Sequence, residues 1–290
     1  MFLKGGNKLP QKIFEPTPYP FMIFRNKTKE AKSSPLTPYH RHDAYEVFLF
    51  LSGNRKVCIE QSCFSCQPGD MFIISPNQLH AGMCDEDCEY DRLVINIKQD
   101  FIDSLSEKGI DFSKCFEFEN TSEIKHVSLS IREREALIDI YDKFEYSRSH
   151  DGYGRELLNE TYIIQVLIHI NRWFLCGDEE QKENLMPTLI SDVMEYIHEH
   201  LTEEISLSDL ERNFYFSGRH ISKVFKEHTG ITVRTYIIDQ RIALAKKLLS
   251  EGCNVSEACG YSGFCDYANF VRSFKNYVGI SPGKYAKQIK

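Results

Sequence analysis

The sequence predicts a multi-domain protein: an N-terminal all-β barrel or sandwich with appended helices, then an all-α domain holding two helix-turn-helix units. Three observations carry this reading. Between Tyr39 and about Ile97, short segments rich in β-formers are broken by turn residues; after Lys98 the texture becomes helical; and the last part of the chain repeats itself. Phe225-Lys226-Glu227-His228-Thr229-Gly230-Ile231-Thr232 recurs as Phe274-Lys275-Asn276-Tyr277-Val278-Gly279-Ile280-Ser281, a shift of 49 positions (274 minus 225). The same shift pairs Ser217 with Asp266 and Ile221 with Phe270, so each copy opens on a capping residue and places an apolar residue four positions later.

A chain of 290 residues that is 42% hydrophobic buries a sizeable core and is long enough for about two domains. Its net charge of −7 is unevenly spread. From Pro187 onward lie 13 of the 35 basic and 12 of the 42 acidic residues, so the acidity belongs to the N-terminal part. Between Ser217 and Lys247 a basic stripe of Arg219, Lys223, Lys226, Arg234, Arg241, Lys246 and Lys247 meets only Glu227 and Asp239, the balance expected of a surface that faces nucleic acid. Neither a signal peptide nor a membrane span is read, which predicts a cytoplasmic protein with no membrane partner. In that reducing compartment the ten cysteines are expected to form no structural disulfide. The spacings Cys63-x-x-Cys66 and Cys84-x-x-x-Cys88 invite a zinc reading, which is disfavoured because a strand would turn the first pair to opposite faces.

In chain order, a proline-rich arm with an entry strand near Tyr19–Phe24 precedes strands at Glu46 to Leu51, Lys56 to Glu60, Met71 to Ser75 and Arg92 to Ile97. Turns at Ser52-Gly53-Asn54, Pro68-Gly69-Asp70 and Ser75-Pro76-Asn77 separate them. Helices follow at Ile131 to Tyr146 and Gly154 to Leu175, the second with Leu158, Tyr162, Val166 and Trp173 on one face. It is either a buried core helix or a dimer seam. The expected boundaries are an effector-binding barrel over 1–98, a helical dimerisation and connection segment over 99–176, a charged linker over 177–187, and a DNA-binding domain over 188–290. Seven helices are expected in that last part.

Within each copy a short helix, a tight turn and a second helix follow one another. Ser206 and Ser217 cap the first pair, with Phe214-Tyr215-Phe216 filling the crossing; Ser256 and Asp266 cap the second pair around Ser262-Gly263-Phe264. A capped helix that enters a major groove offers its N-terminal residues to base edges. Candidate base-reading residues are Arg219, Ser222 and Lys223 in the first copy and Tyr267, Ala268, Asn269 and Arg272 in the second. Lys226, Arg234, Lys275 and Lys284 lie toward helix ends or turns, where phosphate neutralisation is the plainer role.

Residues from about 188 to 290 resemble the DNA-binding domain of the AraC/XylS family of bacterial transcription regulators. The matching residues include Leu210, Ser217, Arg219-His220, Phe225-Lys226, Gly230, Tyr236, Arg241, Ala245, Gly263-Phe264-x-Asp266, Phe270, Phe274-Lys275 and Gly279-Ile280-Ser281-Pro282. Departures fall at Glu211, where the family usually has Ala, and at Ala258-Cys259, where it has an Ile-Ala pair. The resemblance implies that the helix Val233 to Ser250 joins the two units so that both recognition helices address successive major grooves.

Upstream, His40-x-His42-x3-Glu46-x6-Gly53 followed by Pro76-x3-His80 resembles the two motifs of the cupin barrel. In metal-using cupins the residues at the places of His40, His42, Glu46 and His80 bind one metal ion; in sensor barrels attached to this kind of DNA-binding domain the pattern commonly persists without metal. No cofactor is therefore expected, and any metal would use these four. As pocket lining they suit a hydroxyl-rich, carbohydrate-like effector. The expected partners are double-stranded DNA, a small-molecule effector, a second copy of the chain and RNA polymerase. The alternative is a metal-dependent cupin enzyme fused to a DNA-binding domain, which is disfavoured for want of a nucleophile–base pair or phosphate loop.

Overall fold

The computed structural model describes residues 20–31, 37–83, 88–106, 110–118, 123–176 and 184–288. His42–Pro187 belong to one compact unit and Thr188–Lys290 to another.

Alternation along three strands sets the architecture of the first unit. On β3 (Tyr45–Gly53) and β8 (Cys88–Ile97), Val47, Leu49, Leu93 and Ile95 face one way, while Glu46, Phe48, Phe50, Val94 and Asn96 face the other. β6 (Asp70–Ile74) repeats this with Met71 and Ile73 against Phe72 and Ile74. With β1 (Phe21–Ala31) and β9 (Lys125–Ser128), these strands form a five-stranded sheet in the order β1-β8-β3-β6-β9. β2 (Thr37–His40), β4 (Lys56–Ile59), β5 (Ser62–Ser65) and β7 (His80–Met83) form a second sheet in the order β2-β7-β4-β5.

Of the barrel or sandwich expected from the sequence, the described residues form two antiparallel sheets and not a closed barrel. Strands of only four residues in the second sheet leave too short a ladder to carry hydrogen bonding round into the first. The inner layer packs Phe48, Phe50, Phe72, Ile74 and Val94 against Val57, Ile59 and Phe64. The outer face of the five-stranded sheet is covered by α1 (Gln99–Ser106), α2 (Ile131–Ser149) and α3 (Arg155–Cys176), which contribute Ile102, Leu137, Ile140, Phe144, Ile163, Val166 and Ile170.

Four details differ from the sequence reading. β9 pairs with β6 through Asp70↔Ser128 to Ile73↔Lys125, so the sheet takes a strand from beyond residue 98. On α3 the buried face is Ile163, Val166, Leu167 and Ile170, whereas Leu158 is exposed. The β4–β5 register sets Cys58 directly opposite Cys63, and the two are joined as a disulfide. That pairing removes Cys63 from a zinc site with Cys66; Cys84 and the side chain of Cys88 lie outside the described residues. Of the expected linker 177–187, residues 177–183 also lie outside them. Asn184 and Leu185 hydrogen-bond to β5: the Cys63 N–H donates to Asn184 Oδ1 at 2.8 Å and the Leu185 N–H donates to the Cys63 carbonyl at 2.6 Å.

The described residues from Thr188 onward form helices joined by turns: α4 (Thr188–Glu199), α5 (Leu207–Phe214), α6 (Gly218–Thr229), α7 (Val233–Ser250), α8 (Val255–Tyr261), α9 (Tyr267–Val278) and α10 (Pro282–Gln288). Local chemistry fixes the ends. Ser206 and Asp209 form a reciprocal capping box at α5, and Asn254 with Glu257 forms another at α8, where Ser256 had been expected to cap. Asn254 wins because its Oδ1 accepts from both the Ser256 and the Glu257 N–H at 3.0 Å. Along α7, Ile242, Ala245 and Leu249 meet Phe264, Phe270 and Phe274 from the second repeat, while Tyr236 sits edge-on to Phe225 of the first at 5.5 Å. No described helix is long and apolar enough to cross a membrane.

Candidate functional site

The two copies end in matched helices. Ser217 Oγ accepts from the His220 N–H at the start of α6, and Asp266 Oδ1 accepts from the Asn269 N–H at the start of α9. Gly230 and Gly279 close them in the left-handed conformation, at φ 74° and 87°, each donating its N–H to the carbonyl of Lys226 or Lys275. Ile221 and Phe225 anchor α6, and Phe270 and Phe274 anchor α9; all four are fully buried. The opposite faces are open: Arg219, Lys223, Tyr267, Ala268 and Arg272 are exposed, and Ser222 and Asn269 are half-buried. Lys226, Arg234, Lys275 and Lys284 are exposed as well.

The faces are not equally unoccupied. Arg272 donates to Asn269 Oδ1 at 3.4 Å, so two candidate reading residues of α9 touch each other. Lys223 lies 3.8 Å from Glu227 and Lys247 lies 3.9 Å from Glu251, exposed i,i+4 pairs that water screens. Arg241 is not part of an open basic stripe: it donates through Nε to the Leu201 carbonyl at 3.0 Å and through Nη2 to that of Glu203, closing the end of the α4 segment. Of the aromatic run expected at the crossing, Phe214 packs edge-on to Tyr196 at 5.8 Å and Phe216 stacks on His220 at 5.2 Å, whereas Tyr215 is 93% exposed. Tyr215 instead ends α5 in the left-handed region, φ 59°, where its N–H donates to the Glu211 carbonyl.

In the first unit three of the four candidate pocket residues converge. The ligand atoms of His42, Glu46 and His80 all lie within 4.8 Å of one another, and all three residues are buried. His40, at the end of β2, is not in this group. On a continuous strand an x-spaced pair would share one face, but β2 ends at His40 and His42 lies beyond it, so the alternation does not carry across. His42 Nε2 meets Glu46 Oε2 at 3.1 Å, and His80 Nε2 lies 3.8 Å from the same oxygen. The Nδ1 atoms face the carbonyls of Ala44 and Gln78, both at 2.9 Å, so each imidazole turns its Nε2 toward the carboxylate. Burial works against a charged His42, but the hydrogen bond and charge of Glu46 outweigh it and raise the imidazole above its ordinary value. Burial likewise disfavours the Glu46 carboxylate, yet His42 and His80 hold it well below the usual range. Two Nε2 atoms, each on an imidazole held through Nδ1, and one carboxylate oxygen fit the donor set of a transition-metal ion; bound there, such an ion would act as a Lewis acid.

Comparison with known proteins bears on both units. The family model described as an AraC-like ligand binding domain matches residues 31–166, and a helix-turn-helix domain model matches residues 210–288. The chain belongs to the AraC family of transcription regulators. Among its relatives, the probable transcriptional regulator LumQ of Photobacterium leiognathi is 26% identical over 248 residues, covering 85% of this chain and 91% of the relative. The uncharacterized HTH-type transcriptional regulator YbfI of Bacillus subtilis is 25% identical over 217 residues, 74% of each chain. The Msm operon regulatory protein of Streptococcus mutans is 21% identical over 249 residues, 86% of each. This AraC-type regulator therefore pairs a ligand-binding domain with a helix-turn-helix domain.

Proposed function

We propose that α6 and α9 read two successive major grooves, with a small molecule in the N-terminal unit setting whether they do so. The observation that carries this reading is the pair of capped helices with buried anchors on one side and dissimilar polar groups on the other. Arg219, Ser222 and Lys223 meet base edges from α6; Tyr267, Ala268, Asn269 and Arg272 do so from α9. Lys226, Arg234, Lys275 and Lys284 neutralise phosphates. Because the two faces carry different chemistry, each subunit recognises an asymmetric stretch of DNA.

The effector is a polar metabolite, a carbohydrate or a similar compound, and His42, Glu46 and His80 take part in holding it. A buried polar trio beside the apolar inter-sheet layer supports that reading, since such groups demand partners. His40 stands apart from the trio and has the weaker case. The chain acts as a homodimer, a role for which the exposed Leu157 and Leu158 of α3 are suited. It is not an enzyme, works in the cytoplasm, and engages RNA polymerase from its DNA site. Effector binding shifts the population of dimer arrangements that can occupy adjacent sites together.

Selection of bound duplexes from a random library by the full chain tests the reading. A site with two contacted segments about one helical turn apart, about 34 Å, is expected. Recovery of no preferred sequence would overturn it.

A further inference from the structure

The most unusual side chain in the first unit is Arg55. It is 1% exposed, and among the described residues none of its Nε, Nη1 and Nη2 atoms has a hydrogen-bond partner. It leaves the β3–β4 turn and lays its guanidinium over the Tyr90 ring, 4.3 Å from the centroid. It also rests on Gly82 of β7, where any Cβ would collide with Nη2, Nε and Cζ. Gly82 has no positive φ to explain it, so the glycine serves as a berth for the guanidinium.

A second arginine shares the layer. Arg92 stands opposite Phe50 of β3 and Asn26 of β1, on the face that carries Glu46 and Asn96. Its guanidinium reaches within 5.8 Å of both the Phe48 and Tyr90 ring centroids, and its Nε has no hydrogen-bond partner. Burial and then the charge of Arg55 pull Arg92 below its ordinary pKa, with Glu46 acting in the opposite direction. Asn96 Oδ1, across from Glu46, is also buried without a partner. The Glu46–Asn96 and Phe50–Arg92 pairs are four residues apart along the strands, about 13 Å, the length of a small metabolite.

A guanidinium keeps its charge at any pH a protein meets. Buried with no counter-charge among the described residues it is unfavourable, and a ring face offsets only part of that cost. A space that only had to be filled would hold Leu or Met. The geometry points to an effector that carries a carboxylate or phosphate, received by Arg55 with Arg92 as second cation, its body lying along Phe48 and Tyr90 toward the Glu46–His42–His80 cluster. This rests on the reading that the N-terminal unit binds the effector. It sharpens the expected carbohydrate-like ligand to an acidic or phosphorylated one.

The test uses the full chain, thermal unfolding at fixed ionic strength, and four probes: glucose, gluconate, glucose 6-phosphate and inorganic phosphate, each against matched chloride. At least one anionic probe raises the wild-type melting temperature by several degrees, and glucose does not; gluconate against the two phosphates tells which oxyanion is preferred. Arg55→Met loses that response, yet without anion it melts no lower than wild type, because an unpaired buried charge has gone. Gly82→Ala, which keeps the charge but fills the berth, weakens the response. Phosphate held by the DNA-binding helices would shift wild type and Arg55→Met alike, and that result overturns the assignment. So does an Arg55→Met protein that melts lower without anion, or a wild type that no anion stabilises beyond chloride. Failure of the underlying effector reading looks different: a probe that raises the melting temperature but leaves DNA binding unchanged.

Discussion

Glu211 Oε1 accepts a hydrogen bond from the Gly218 N–H, so a carboxylate on α5 caps the first turn of α6. This is the position at which the family usually carries a small apolar residue. The space is tight: a Cβ on Gly218 would lie 2.9 Å from Glu211 Oε1 and 3.2 Å from Leu207 Cβ. Together Glu211 and Ser217 satisfy two of the four donors that a helix start leaves open, and a negative charge there suits the helix dipole. Glu211→Ala should therefore lower the stability of the second unit by about 1 kcal/mol and speed amide exchange in the first turn of α6. Urea unfolding and hydrogen exchange read both; unchanged protection at Gly218 and Arg219 would show that the bond does not hold in solution.

Base reading by the two faces makes a quantitative expectation. Arg219→Ala and Arg272→Ala should each weaken specific binding by about 1–3 kcal/mol and relax preference at a base, while Lys226→Ala should reduce the salt slope by about 1 and leave preference intact. Since Arg272 touches Asn269, the Asn269→Ala and Arg272→Ala effects should not add, whereas those of Arg219 and Arg272 should. Competition binding on the selected site and its single-base variants measures this. Equal losses on random DNA for Arg219→Ala would assign it to phosphate.

Two glycines with similar backbones separate strain from contact. Gly263 has φ 84° and Gly252 has φ 97°, so both sit where a side chain is disfavoured. A Cβ on Gly263 would also fall 2.6 Å from the Leu201 carbonyl and 3.0 Å from Arg241 Nε, while nothing lies within 4 Å of one on Gly252. Gly252→Ala should cost about 1–2 kcal/mol from the backbone alone. Gly263→Ala should cost clearly more, since it also disturbs the Arg241 bonds to Leu201 and Glu203. Urea titrations of the two variants compare them, and equal losses would show that the contact is relaxed without cost.

What the chain revealed before folding was what neighbouring residues decide. Ser206, Ser217 and Asp266 cap, and Gly230 and Gly279 terminate, through bonds to residues a few positions away, so the duplicated helices were legible. At α8 the cap moved from Ser256 to Asn254 because both residue types cap and only geometry chooses between them. On α3 the three- and four-residue spacing fits more than one face, because the helix is apolar on several sides, and only packing selects the one with Ile163, Val166, Leu167 and Ile170. β9 is four residues long, too short for an alternating pattern to stand out. The Cys58–Cys63 pair depends on hairpin register. No local pattern marks Arg55, because its meaning lies in Gly82 and Tyr90, which only the fold brings to it.

The His42–Glu46 pair makes stability depend on pH in a defined direction. His42 is raised in the folded state, so its contribution is complete below the ordinary imidazole value of 6.5 and is lost as pH rises through the folded value. Glu46 is depressed, so its contribution is present above the ordinary value of 4.5 and is lost as pH falls through the folded one. The pair therefore stabilises most between pH 4.5 and 6.5. Replacing Glu46 by Gln keeps the shape and removes the charge, and the difference from wild type should be about 1–3 kcal/mol in that window, narrowing as pH rises above it. Urea titrations across pH supply the measurement. A metal ion held by the same trio reverses the sign, because it needs His42 without its Nε2 proton and binds more tightly as pH rises. A difference between wild type and Glu46→Gln that grows toward alkaline pH and disappears with chelator would identify a metal in place of the ion pair.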